Sequence, residues 1–134
     1  MNLNLSGKTA VIVGSAQGIG HATAKAFYDE GCNVCLVDRN PDIATIANEM
    51  GDRASGVVAD VVDYASMQSA ADACEAKFGE IHHVVLTAAV GSGKFGFPFW
   101  NLEPSDWAFT LDVNLMGAVN FAHAFAPKLV ERKR

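Results

Sequence analysis

The chain is poor in basic charge: 10 Lys and Arg stand against 15 Asp and Glu, a formal net charge of −5. A nucleic-acid-binding face needs clustered cations, so nucleic acid is excluded as an expected partner. The one basic cluster, Glu131-Arg132-Lys133-Arg134, reads instead as cations at a helix C-terminus, where the macrodipole is negative. No apolar run approaches the ~20 residues needed to cross a bilayer. The N-terminus, Met1-Asn2-Leu3-Asn4-Leu5-Ser6-Gly7-Lys8, lacks a charged segment followed by a long apolar one. The expectation is a cytoplasmic chain with no signal peptide and no membrane partner. Cysteine is confined to Cys32, Cys35 and Cys74, an odd count that makes no disulfide framework. Cys32-Asn33-Val34-Cys35 has C-x-x-C spacing, but no second pair completes a zinc set and Cys35 falls in an apparent buried strand. The cysteines are therefore read as packing residues, and no metal site is expected.

What remains is an ordinary globular composition. Half of the 134 residues are hydrophobic and 19% are charged, enough for one domain, 1–134, with a real core. Strand-like and helix-like stretches alternate. Thr9–Val13 is a short apolar run ending in glycine, and Ile19–Glu30 reads as a helix stopped by Gly31. Asn33–Asp38 is a second buried strand. Asn40 and Pro41 open a short helix to Met50 as N-cap and first residue. Ala54–Asp60 is a third strand. In Tyr64–Phe78, Met67, Ala70, Ala71, Cys74 and Phe78 share one helix face. His83–Ala88 is a fourth strand, and after a Gly- and aromatic-rich loop, 91–101, one long helix is expected from about Pro104 to Val130. Four βα units in series predict a three-layer, Rossmann-type parallel sheet, and right-handed crossovers give strand order 3-2-1-4.

Gly14-Ser15-Ala16-Gln17-Gly18-Ile19-Gly20 joins the first strand to the first helix. Gly14 allows a sharp turn, Gly18 lets backbone approach a pyrophosphate, and Gly20 lets the helix start close to the sheet. The helix N-terminus offers unpaired N–H groups to a phosphate, and Ser15 offers a hydroxyl. Asp38 ends the second strand twenty residues beyond Gly18, where a carboxylate accepts from a ribose diol and repels a 2′-phosphate. NAD is thus favoured over NADP, although Arg39 could pair with a 2′-phosphate. Asp60 ends the third strand, where it either borders an adenine or is satisfied by local backbone.

These residues resemble the short-chain dehydrogenase/reductase family along the whole chain, from Leu5-Ser6-Gly7-Lys8 to the last helix. The family's TGxxxGIG loop stands here as Val13 to Gly20, with Val13 in place of the threonine. The resemblance implies that Gly14, Ser15, Gly18, Ile19 and Gly20 line the pyrophosphate, that Asp38 holds the ribose, and that Asp60 and Val61 border the adenine. The family's NNAG stretch maps onto Leu86-Thr87-Ala88-Ala89, which puts Ala88 near the cofactor ribose while replacing both asparagines and the glycine. Asn114, in Trp107-Ala108-Phe109-Thr110-Leu111-Asp112-Val113-Asn114, matches the asparagine of the catalytic tetrad, which helps hold a proton-relay water.

The family's serine and Tyr-x-x-x-Lys pair have no counterpart. Tyr28 is followed by Asp29-Glu30-Gly31-Cys32 and Tyr64 by Ala65-Ser66-Met67-Gln68. Hydride transfer to a carbonyl needs a proton donor, so the chain by itself is expected to be inactive. Full-length members are also roughly twice as long. The implied protein is a truncated relative of an NAD-dependent alcohol or carbonyl oxidoreductase that binds NAD(H). The alternatives are a fragment of a full-length enzyme, or a structural or oligomerisation module with a vestigial nucleotide site. Ending after the fourth βα unit exposes the edge of the fourth strand, Val84-Val85-Leu86. In the last helix Trp107, Leu111, Leu115, Ala118, Ala122, Phe125 and Leu129 form one apolar face, and the family buries this helix between subunits. A homo-oligomer joined through that helix or that edge is expected. Phe95, Phe97, Phe99 and Trp100 are read as anchors of a long loop rather than a substrate lip.

Overall fold

Every residue of Thr9–Val13 (β1) is buried, as are the inner four of Asn33–Asp38 (β2). Such continuous apolar runs are what a parallel sheet covered on both faces requires. The structure, a computed structural model, describes residues 1–131; the basic residues 132–134 lie outside the described residues. Ala54–Val58 (β3) and His83–Leu86 (β4) complete a four-stranded sheet in the order β3-β2-β1-β4, parallel throughout. Val11 stands opposite Cys35 on one side and Val84 on the other.

Alternation along the strands divides the core in two. Val11, Val13, Cys35 and Val37 pack with Met67, Ala70, Ala71 and Cys74 of helix α3 (Tyr64–Phe78) and with Phe125 of α5 (Gly117–Val130). Ala10, Ile12, Val34 and Leu36 pack on the other face with Ala24 of α1 (Gly18–Asp29) and with Ile43 and Ala47 of α2 (Ile43–Met50). Helix, sheet and helix give the expected three-layer Rossmann-type architecture.

Several boundaries differ from the sequence expectation for local reasons. Helix α2 starts at Ile43, because the Asn40 side chain accepts the Asp42 N–H at 2.9 Å and holds Pro41 and Asp42 in a turn. Strand β3 stops at Val58 and β4 at Leu86, where β2 and β1 respectively run out of pairing residues. The long helix expected over 104–130 is three segments: α4 (Pro104–Leu111), a π-helical stretch (Asp112–Met116) and α5. A π turn inserts an extra residue and rotates everything after it. The single apolar face read across Trp107 to Leu129 therefore splits. Val113, Gly117, Ala124 and Phe125 are buried, whereas Trp107, Phe109, Leu111 and Leu115 remain about half exposed.

The cysteines are a further correction. Cys35 on β2 and Cys74 on α3 form a disulfide, with Cα atoms 6.0 Å apart, inside the core between sheet and helix. The C-x-x-C spacing is incidental, since Cys32 is buried and its thiol donates to the Leu5 carbonyl.

Candidate functional site

The glycine loop lies between β1 and α1 at the C-terminal ends of the strands. Two of its glycines are required by close approach. Gly14 has φ +88, and a Cβ there would come within 2.5 Å of the Ala88 backbone nitrogen. A Cβ on Gly20 would collide with the Gly14 carbonyl and the Thr87 hydroxyl, so α1 can begin this near the sheet only with glycine there. The Thr87 hydroxyl lies 2.8 Å from the Val13 carbonyl and 3.0 Å from the Gly14 carbonyl, donating to this pair and tying β4 to the loop.

Asp38 fastens the loop from the other side. Its Oδ2 accepts the Ala16 N–H and its Oδ1 the Asn40 N–H, both at 2.9 Å. Each carboxylate oxygen keeps a lone pair for a hydroxyl donor. Asp60 Oδ1 accepts the Val62 N–H at 3.1 Å, and the Asp60 main chain is gripped by Ser66, whose hydroxyl both accepts its N–H and donates to its carbonyl. Asp60 is therefore satisfied by local backbone, and it also lines the cavity.

That cavity, of about 390 Å³, opens along the strand ends at the point where the strand order reverses between β1 and β4. Such a switch point is where open α/β sheets place ligands. Of the residues singled out in the sequence, Gly14, Gly18, Ile19, Gly20, Asp38, Asp60, Val61 and Ala88 line it. Two do not. Ser15 is fully buried, with its hydroxyl turned into the sheet toward the Val37 carbonyl at 3.4 Å. Asn114 lies exposed on the π-helical stretch, where its amide accepts from the N–H of Val90 and donates to the carbonyl of the same residue. Its neighbour Val113 lines the cavity in its place.

Arg39, weighed in the sequence as a partner for a 2′-phosphate, lines the cavity, and so does Gln17, to which the sequence assigned no role; with Ala16, Asp38, Asn40 and Pro41 they border a second hollow of about 340 Å³. Other contributors escaped the sequence reading. Asn120 of α5 donates to the Val61 carbonyl at 2.8 Å and so fixes the far wall; its signal was a polar residue inside an apolar helix stretch. Gly117, one turn earlier, lets α5 approach close to the Val61 side chain. Among the described residues, no cluster of metal-ligating side chains occurs and no helix is long and apolar enough to cross a membrane.

The loop, the strand-end carboxylates and the switch-point cavity define a Rossmann-type fold with a cavity at its strand ends. The short chain dehydrogenase family model matches residues 8–134, and the chain belongs to that family. It is 38% identical over 132 residues to "Oxidoreductase UcpA" of Escherichia coli K12, covering 96% of this chain and 49% of that protein. It is 37% identical over 134 residues to a D-threitol dehydrogenase of Mycolicibacterium smegmatis, covering 97% and 50% respectively. Among solved structures it resembles a 3-ketoacyl-(acyl-carrier-protein) reductase from Brucella melitensis complexed with NADH. That match has TM-score 0.89 and 31% identity over 96% of this chain and 52% of the other. A short chain dehydrogenase/reductase from Burkholderia phymatum in complex with NAD matches with TM-score 0.88 and 31% identity, covering 97% and 47%. The chain thus spans about half the length of the relatives it matches.

Proposed function

We propose that this chain is an NAD(H)-binding half of a short-chain oxidoreductase. The observation that carries the reading is the convergence, on one cavity, of the α1 N-terminus, the Asp38 carboxylate and the Asp60–Val61 wall. The residue types fit the dinucleotide. Glycines at 14 and 20 bring backbone close without side chains in the way, the first turn of α1 carries N–H groups for a pyrophosphate, and Asp38 retains acceptors for a ribose diol. Gly18, Ile19 and Ala88 complete the lining in this reading, and Asn114 acts by holding Val90 rather than by touching ligand. Solved relatives bound to NADH and NAD support the cofactor class. Asp38 favours NAD, because a 2′-phosphate would meet its negative charge; Arg39 beside it is the only cation among the described residues that line the cavity.

The 134 residues contain no Tyr-x-x-x-Lys, so no proton-donating pair of that kind accompanies the site in this chain. Alone, the chain binds nucleotide without oxidising alcohols; the redox chemistry belongs to an assembly that supplies such a pair. The half-exposed Trp107, Phe109, Leu111 and Leu115 support self-association through α4 and the π-helical stretch. Isothermal titration with NAD and NADP tests the cofactor reading. Micromolar-to-millimolar binding with NAD the tighter ligand is expected, and equal or tighter NADP binding would overturn the preference.

A further inference from the structure

The Cys35–Cys74 disulfide joins two elements that each carry a part of the cavity wall. Cys35 lies on β2, whose end holds the glycine loop. There the Val37 carbonyl accepts the Gly14 N–H at 2.8 Å, and Asp38 accepts the Ala16 N–H at 2.9 Å. Cys74 lies on α3, whose first turn holds a different stretch of wall, because Ser66 grips the Asp60 main chain by both its N–H and its carbonyl. Asp38, Asp60 and Val61 all line the cavity. Around the bond α3 packs close to the sheet through Ala70 and Ala71, and both cysteines are fully buried. Methyl groups cannot swing aside, and a close-packed interior has no spare volume. Two separate thiols must stand at van der Waals distance, which bonded sulfurs need not, so breaking the bond in place overfills the gap between β2 and α3. Relief lies in a shift of α3 away from β2, and Ser66 moves with it.

We infer that this pair is a thiol–disulfide switch, which couples the redox state of the chain to the cavity wall at Asp60 and Val61 and thereby to ligand affinity. The affinity effect rests on the nucleotide-binding reading above; the movement of the wall does not. The reductant is a dithiol. Its thiolate attacks one sulfur of the pair, the S–S bond breaks, and the departing cysteine takes up a proton. The second thiolate of the reductant then displaces the other cysteine, which is protonated in turn. Two electrons pass to the protein, and the dithiol leaves as its own disulfide. Because both sulfurs are buried, attack follows a local opening of α3.

The test compares the 134-residue chain oxidised, reduced with dithiothreitol, and reoxidised with glutathione disulfide. Reduction should speed amide exchange at Asp60, whose N–H the Ser66 hydroxyl covers, by about threefold or more, while the amides of β1 stay protected. Isothermal titration with NAD should show affinity falling by about threefold or more, and reoxidation should reverse both changes. Cys74→Ala lacks the bond and leaves room for the remaining thiol, so it should not respond to dithiothreitol. Cys32→Ala should respond as the parent chain does. Unchanged Asp60 exchange on reduction, or unchanged affinity in a chain that binds NAD, would overturn the switch. Loss of β1 protection on reduction would also overturn it, because the bond would then serve only to hold the fold together. Absence of NAD binding in every redox form would overturn the nucleotide-binding reading, while Asp60 exchange still decides whether the wall moves.

Discussion

Asn114 grips Val90 by both of its main-chain groups: Oδ1 accepts the Val90 N–H and Nδ2 donates to the Val90 carbonyl, each at 2.8 Å. A side-chain amide used this way imitates one rung of a sheet ladder. It joins the π-helical stretch to the chain just beyond β4, where the cavity wall turns into the aromatic loop. The carboxamide is thereby occupied on both sides by Val90.

Asn114→Leu removes both bonds, and because the site is partly wet the released groups of Val90 can turn to water. The expected loss is about 1–2 kcal/mol, at the lower end for two hydrogen bonds. Asn114→Asp should cost at least as much, since a carboxylate keeps the acceptor for the Val90 N–H but faces the Val90 carbonyl with a negative oxygen. Urea unfolding gives the stabilities, and amide exchange at Val90 reports the local release. Unchanged exchange in both variants would refute the clamp.

Gly20 and Gly18 are separated by one residue, yet their substitutions should fail differently. A Cβ at 20 meets the Gly14 carbonyl and Thr87, neither of which can swing aside, so Gly20→Ala must push α1 away from the sheet. Overpacking of this kind costs about 1–3 kcal/mol. At 18 nothing lies within 4 Å of an added Cβ, but φ is +59. Gly18→Ala should therefore lose about 1–2 kcal/mol from backbone conformation alone. Its methyl also projects where ligand backbone contact is proposed, so nucleotide affinity should fall more than stability does. Thermal melts and titration calorimetry on both variants separate the two effects.

The fold was readable in the sequence because its signals are local and agree with one another. Thr9–Val13 and Asn33–Asp38 are uninterrupted apolar runs of strand length, and the Met67-to-Phe78 spacing gives α3 its observed limits. The glycine loop and Asp38 were equally visible, since each residue type answers one geometric demand. What could not be read depends on contacts between distant positions. The π-helical stretch leaves no compositional mark in Asp112-Val113-Asn114-Leu115-Met116, so the apolar pattern was carried through it without the rotation. Ser15 looked available for a ligand, but its orientation follows from the Val37 carbonyl, 22 residues away. Thr87 and Asn120 work through main-chain carbonyls far away in sequence, which no spacing rule reveals.

Cys35 and Cys74 are 39 residues apart, and their pairing was likewise invisible in a count of three cysteines. Bonded, they leave Cys32 as the one free thiol. Burial raises the pKa of Cys32, with Arg53 partly opposing, so its thiol should react slowly until the chain unfolds. In denaturant without reductant, thiol titration should return one group per chain, rising to three after reduction. Closing a loop of this length stabilises by about 4 kcal/mol in the chain-entropy account, so reduction should also lower the urea midpoint clearly. Three thiols before reduction would show that the pair is not bonded in solution.

The aromatic loop is tied to α4 by Lys94, whose ammonium meets Asp106 Oδ2 at 2.7 Å and the Asn101 carbonyl at 3.3 Å. Hydrogen bonding to Lys94, then to the Glu103 N–H, holds the Asp106 carboxyl below the usual carboxylate range, and the same partner raises Lys94. The sign follows from those directions. A depressed Asp106 contributes stability that is present above its unfolded pKa and is lost as pH falls through the lower folded value. A raised Lys94 contributes below its unfolded pKa and is lost only as pH rises through a still higher one. The tether should therefore be constant from about pH 5 to pH 9 and release below about pH 4. Amide exchange across residues 94–106 should show one acid step, shrinking with added salt because the pair is only half-buried. Lys94→Gln should raise exchange at neutral pH and abolish the step; an acid step of equal size in Lys94→Gln would assign it to other groups.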